Sequence, residues 1–226
     1  GVGEIRSGKG TVSAVLQDGS ERAGDRLLVA VGRSPNTAGL GLQEAGVEVA
    51  DRRVVVDRTM RTNLAGVFAV GDLVGQPMLA HAASAEAVVA AANALGETRV
   101  MRYGAIPFCV YSQPQVARVG LTEKEARARG RGLLVGEFPA TYSGRAKTMR
   151  AEEGFAKVIA DEQTREIIGA TLVGPNASEI IHQLAVAVEN ELTLECVAAT
   201  VHAHPTLSEM IAEAALHALG APIHRL

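Results

Sequence analysis

Eight consecutive residues, His202-Ala203-His204-Pro205-Thr206-Leu207-Ser208-Glu209, hold two imidazoles, a proline and a carboxylate. Pro205 fixes its own φ and biases His204 toward an extended backbone. Thr206 can N-cap a helix, with Glu209 at its third position, which is the capping-box spacing. Met210, Ile211, Ala214, Ala215 and Leu219 follow at helical spacing. His204 therefore precedes a helix start, and Glu209 lies within reach of its ring. A carboxylate on one ring nitrogen sets the tautomer and raises the basicity of the other, which is how a general base is built. Two other readings fit the same residues. Glu209 can serve only as a cap beside a structural histidine. His202 and His204, spaced i, i+2, can share the face of an extended segment and bind a metal.

A second candidate is Gly66-Val67-Phe68-Ala69-Val70-Gly71-Asp72. Its pattern predicts an apolar strand ending in Gly-Asp, where Gly71 lets a ligand approach the backbone and Asp72 can accept hydrogen bonds from hydroxyls. A turn aspartate with no ligand fits as well. Gln76-Pro77-Met78-Leu79-Ala80-His81 then opens an alanine-rich helix running to about Leu95, ahead of Gly96. The unpaired N–H groups of its first turn favour electron-rich partners.

The elements around these residues are short. Residues 1–31 read as a β-meander with a tight turn at Asp18-Gly19-Ser20, and Asp25–Val31 reads as a buried strand. Residues 38–65 predict a short helix, a turn at Gly46 and a strand at Val54-Val55-Val56. From about residue 103 the pattern changes. Strands are expected at Ile106–Tyr111, Gln113–Gly120, Leu133–Phe138, Phe155–Ala160 and Ile167–Val173. Helices are expected at Thr122–Arg129, capped by Thr122 and Glu125, and at Ser178–Glu191. A sheet followed by helices predicts an α+β domain.

The chain of 226 residues is 47% hydrophobic and 21% charged, an ordinary globular balance. Its net charge of −3 gives no cause to expect a nucleic acid or an anionic membrane as partner. Ala82–Leu95 is too short to span a bilayer and carries Glu86 and Asn93. Cys109 and Cys196 form no C-x-x-C pair, which predicts buried free thiols in a cytoplasmic protein. Glu179 and His182 form an E-x-x-H pair that reads as helix-surface polarity or an interface contact.

The His-Ala-His-Pro-Thr-Leu-Ser-Glu stretch resembles the active-site motif of the dihydrolipoamide dehydrogenases, which are flavoprotein disulfide reductases. Other segments share the resemblance: Val29-Ala30-Val31-Gly32-Arg33-Ser34-Pro35-Asn36-Thr37, Gly71-Asp72, Met78-Leu79-Ala80-His81, Tyr111-Ser112-Gln113-Pro114-Gln115-Val116-Ala117 and Gly174-Pro175-Asn176-Ala177-Ser178-Glu179. Ala82 departs from the lysine the family often has there, and Tyr142-Ser143-Gly144 departs from its Asn-Ser. The resemblance implies an α/β part followed by an α+β part with an antiparallel sheet. Residues 1–32 would end an NAD-binding domain, 33–102 would return to an FAD-binding domain, and 103–226 would form an interface domain. It makes His204 the base and Glu209 its orienting partner. Asp72, Met78, Leu79, Ala80 and His81 become contacts to FAD, and Gly32 a contact to NAD, with no metal. It further implies a homodimer that oxidises the lipoyl domain of a 2-oxoacid dehydrogenase complex. A glutathione or mercuric reductase type, or a dimerisation module without catalysis, are the alternatives.

The family also carries two G-x-G-x-x-G loops and a C-x-x-x-x-C redox pair. Neither pattern occurs in this chain. The sequence is therefore expected to be the C-terminal half of a larger enzyme, and these 226 residues alone are expected to have no lipoamide reductase or diaphorase activity. Measurable NADH turnover by the purified chain would overturn this.

Overall fold

Hydrogen-bonded turns organise the first part of the chain. In this computed structural model, which describes residues 1–224, Asp18 accepts from the Ser20 backbone N–H and hydroxyl at 2.9 and 2.7 Å. That reversal follows β1 (Val2–Ser7) and β2 (Val12–Leu16) and leads into β3 (Glu21–Gly24); the three form an antiparallel meander in that order. Asp25–Val31 forms no strand, contrary to the sequence expectation. Among the described residues no segment pairs with it, and a strand exists only through pairing. Leu28 and Val31 are left 87% and 91% exposed.

The short helix expected near Leu40 is also absent. Gly39, Gly41 and Gly46 take φ of +74°, +65° and +81°, and the segment folds as turns. β4 (Val49–Ala50) and β5 (Arg53–Val54) make a two-residue ribbon over a small core of Val47, Val54, Ala69 and Val74. The strand expected before Gly71 reduces to one bridge, Arg61 with Phe68, where the Arg61 guanidinium also lies 4.8 Å from the Phe68 ring centre. The chain then enters a 3-10 turn, Gly71–Leu73, so Asp72 sits in a turn and not at a sheet edge.

α1 (Ala80–Ala94) buries Ala82, Glu86, Ala90 and Asn93 along one stripe, with Ala92 buried beside it. The two polar members are satisfied. Glu86 accepts the Gly71 N–H at 2.6 Å, and Asn93 donates to the Thr59 carbonyl at 2.9 Å.

A second unit begins at Arg99. It contains β6 (Phe108–Val110), β7 (Gln115–Gly120), α2 (Glu123–Ala128), β8 (Leu133–Pro139), α3 (Gly144–Thr148), β9 (Phe155–Asp161), β10 (Ile167–Gly174), α4 (Ala177–Glu189), α5 (Leu194–Ala199) and α6 (Glu209–Ala218). The five strands pair antiparallel in the order β6-β7-β10-β9-β8. The Thr122–Glu125 capping box forms as its spacing predicts. α4 packs on β7 and β10 while α6 packs on β8 and β9. Both helices feed one apolar cluster, in which Ile181, Leu184, Ile211, Ala214 and Ala215 are buried. Burial of a side chain such as Ile211 contributes roughly 1.5–3 kcal/mol.

α6 is the element that carries Glu209, and it lies directly on β8. A Cβ at Gly136 would strike the Ala214 carbonyl oxygen and the backbone of Ala218. His217 Nδ1 lies 3.0 Å from the backbone nitrogen of Glu137 and 2.9 Å from its carbonyl oxygen, so its tautomer decides which of the two it bonds. Gly136→Ala is therefore expected to destabilise this unit by about 3 kcal/mol or more, because both colliding groups are backbone and cannot rotate away. Denaturant unfolding followed by circular dichroism checks this, and an unshifted midpoint would contradict it.

Candidate active site

Between α5 and α6 the loop is built by backbone-directed hydrogen bonds. His204 and Pro205 are joined by a cis peptide. Glu209, the first residue of α6, uses each carboxylate oxygen for a different task. Oε1 lies 2.8 Å from His204 Nδ1, and Oε2 accepts the Thr206 N–H at 2.7 Å. The expected capping box forms only by half. Thr206 gives its hydroxyl to the Ala203 carbonyl at 2.7 Å, and Ser208 is the residue at the helix N-cap. The Leu207–Ser208 turn intervenes, with Met210 N–H bonded to Leu207 and Ile211 N–H to Ser208. Gln183 of α4 donates to the Ser208 hydroxyl at 2.6 Å, tying the helix start to its neighbour.

A carboxylate can only accept, so His204 Nδ1 carries the hydrogen and Nε2 is left as the basic nitrogen. The His204 side chain is 77% exposed, so Nε2 is open to a reactant. Partial burial pushes the Glu209 carboxyl up. The Thr206 N–H, the His204 hydrogen bond and the charges of His204 and His224 outweigh that, and the group sits below the ordinary glutamate value. Glu209 is accordingly ionised at neutral pH and can stabilise a protonated His204.

His202 makes a different contact: its Nδ1 lies 2.8 Å from the Thr200 carbonyl and must donate to it. The two histidines thus have separate partners. They line one cavity of about 290 Å³ together with Tyr142, Glu209, Glu213 and His224. Among the described residues no group of three or more His, Cys, Asp or Glu side chains is placed to hold a metal ion.

In the first unit Asp72 is exposed, following Gly71 at φ +77°. Met78 and Leu79 are half-buried, and Ala80 and His81 are exposed in the first turn of α1. That helix start has no side-chain cap. Gly32, at φ +105°, ends the unpaired Asp25–Val31 segment. The structure therefore joins His204 with Glu209, places Asp72 and Met78–His81 on either side of one short connection, and sets Gly32 on another.

Two residues escaped the sequence reading. Glu86 is fully buried and holds the Gly71 N–H, which fixes the turn that presents Asp72. Its signal was an acid at i+4 from Ala82 and i−4 from Ala90 within an alanine-rich helix. Glu213 is the other, 6% exposed and bonded to His224. The cysteines also differ from expectation. Cys109 is partly buried, and burial pushes its thiol up. Cys196 is exposed on α5, where hydrogen bonds from the Thr193 hydroxyl and backbone lower it. Apolar neighbours in sequence did not bury it, because α5 turns only Leu194 fully inward.

Residues 1–87 match the family model "pyridine nucleotide-disulphide oxidoreductase", and residues 106–215 match its dimerisation domain. The dihydrolipoyl dehydrogenase of Chlamydia pneumoniae is 46% identical over 201 residues, 88% of this chain and 44% of that protein. That of Halobacterium salinarum is 46% identical over 218 residues, 95% and 46% of the two chains. Among solved structures, LpdA from Mycobacterium tuberculosis aligns with a TM-score of 0.89 at 33% identity, covering 96% of this chain and 48% of that one. The HOCl-induced flavoprotein disulfide reductase RclA from Escherichia coli aligns with a TM-score of 0.86 at 28% identity, covering 95% and 50%. The chain spans about half the length of these relatives. With both models falling on successive parts of it, the chain belongs to the pyridine nucleotide-disulphide oxidoreductase family.

Proposed function

We propose that the chain supplies the catalytic base and interface portion of a dihydrolipoamide dehydrogenase, which converts dihydrolipoamide and NAD⁺ to lipoamide and NADH. One observation carries this reading above the rest: Glu209 holds His204 Nδ1 at 2.8 Å while its second oxygen is fixed by the Thr206 N–H. The pair leaves Nε2 exposed and basic. That nitrogen takes the proton from a substrate thiol, because the thiolate is the species that attacks a disulfide. Glu209 then faces the imidazolium and stabilises it.

The residues of the first unit fit a flavin nucleotide. Asp72 offers an exposed carboxylate to the hydroxyls of a polyol chain, and the first turn of α1, which no side chain caps, offers the positive end of a helix to an electron-rich ring. Met78 and Leu79 add apolar contact beside it. FAD, when bound, supplies the two-electron relay between dithiol and NAD⁺. Gly32, at a φ that favours glycine, is the residue we assign to approach NAD. We assign residues 1–32 to the end of an NAD-binding domain, 33–102 to an FAD-binding domain and 103–226 to an interface domain. The match of residues 106–215 to a dimerisation domain supports the last, and so does the compact unit that begins at Arg99.

The working form in this reading is a cytoplasmic homodimer, with a lipoyl domain of a 2-oxoacid dehydrogenase complex as partner. Val110, Tyr111, Val186 and Val201, all exposed in this chain, support burial against a second copy. Among the described residues no helix is long and apolar enough to cross a membrane.

In the full-length enzyme, Asp72→Ala is expected to weaken FAD retention while the dithiol chemistry changes less. A bond to a charged acceptor is worth roughly 1.5–3 kcal/mol. Flavin occupancy after dilution and gel filtration is the measurement, and unchanged occupancy removes the assignment.

His204→Gln is expected to slow the dithiol half-reaction by roughly 10²–10⁴, the usual contribution of a positioned base, with flavin still bound. Glu209→Gln should cost less, since the imidazole remains. His202→Gln should cost least, since its Nδ1 serves only the Thr200 carbonyl. A metal site would instead make the two histidines equivalent and sensitive to a chelator. Equal losses at His202 and His204 would sink the base assignment.

A further inference from the structure

Glu213 lies one helical turn beyond Glu209 on α6 and is 6% exposed. A buried carboxylate is costly unless its oxygens are bonded. Both are engaged by a single residue of the segment that follows the helix. Oε2 accepts the backbone N–H of His224 at 3.1 Å, and Oε1 lies 2.6 Å from His224 Nδ1. Gly220, at φ +75°, turns that segment back, and the Ala221 N–H closes on the Leu216 carbonyl at 2.9 Å. The result is that Ile223 and His224 line the cavity that holds His204 and Glu209, along with apolar Met210 and Leu216.

A casual surface ion pair has neither of these features. The Glu213 side chain is 8% exposed against 70% for His224, and one of the two bonds goes to backbone. Exposed pairs contribute little, whereas a buried acceptor anchors whatever donates to it. His224 also lies near enough to the proposed catalytic pair for its charge to help hold the Glu209 carboxyl low.

We infer that Ile223 and His224, pinned by Glu213, form a wall of the catalytic pocket that holds the hydrocarbon chain of the dithiol substrate against His204. Glu213 is the positioning residue, and Ile223 supplies the apolar contact. The inference rests on the function proposed above and adds a specificity element to the same site.

The test uses the full-length holoenzyme with dihydrolipoamide. His224→Ala is expected to raise KM about tenfold, the loss of one charge-assisted anchor. It should change kcat by less than about twofold, the pattern of lost binding without lost chemistry. His224→Asn, which keeps a side-chain donor, should recover most of the KM. An unchanged KM in His224→Ala, or a fall in kcat alone, overturns the wall. A readout independent of turnover is hydrogen exchange at the His224 amide, expected about tenfold faster in Glu213→Gln. Equal exchange overturns the anchoring whatever the substrate. If the wild-type enzyme does not turn over dihydrolipoamide, both readings fall. If it does and His204→Gln abolishes turnover, negative results at His224 sink the wall alone.

Discussion

Glu209 divides one carboxylate between an imidazole and a backbone amide, and the site depends on that division. A glutamate held only by His204 could swing with the ring, and the ring would keep no fixed direction. The Thr206 N–H removes that freedom at 2.7 Å. The orientation of His204 is thereby referred to the backbone of the loop and, through the helix, to the sheet. The same two bonds keep Glu209 ionised against partial burial, so orientation and charge come from one arrangement.

That arrangement needs α6 at a fixed height over β8. Gly136 permits the close approach, since any side chain there would meet helix backbone. His217 bonds to the backbone of Glu137 at the far end of the same helix. Met210, Ile211, Ala214 and Ala215 press its apolar face into the cluster of the sheet. An active-site residue at the first position of a helix inherits the rigidity of the whole element, and a loop residue such as His204 borrows it through a hydrogen bond. In the proposed site, the five-stranded sheet serves the base by keeping Glu209 from moving.

The sequence was most legible where local chemistry decides structure. The Thr122–Glu125 box, the Asp18-Gly19-Ser20 turn and the apolar period of α4 and α6 are local rules, and the structure follows them. His204 with Glu209 was legible for the same reason, being five residues apart. Non-local conditions were not legible. Asp25–Val31 and Gly66–Val70 have strand composition, yet a strand requires a neighbour, and composition does not say whether one is present. Thr206 had the spacing of an N-cap but bonded to the Ala203 carbonyl, because the turn at Leu207–Ser208 moved the helix start. The partners of Glu86 and Glu213 were hidden by the same limit: an acid on a buried stripe shows that a donor must exist, not which donor.

Three glutamates now share one physical role. Glu86 holds the Gly71 N–H, Glu209 the Thr206 N–H, and Glu213 the His224 N–H. Each is a helix residue that reaches outside its helix to a backbone donor in an irregular segment. Such segments cannot satisfy their own amides, and an unpaired buried amide costs about 1–3 kcal/mol. A carboxylate lowers that cost more than a neutral acceptor, and a helix fixes the carboxylate in space. The irregular segment therefore takes one conformation without becoming regular structure. In each case the fixed segment bears a residue proposed for binding or catalysis: Asp72 beside Gly71 for the cofactor, His204 beside Thr206 for the proton, and His224 itself for the substrate. Placing the acceptors on helices leaves the loops free in sequence to carry functional side chains, with their geometry still set by the packed elements beneath.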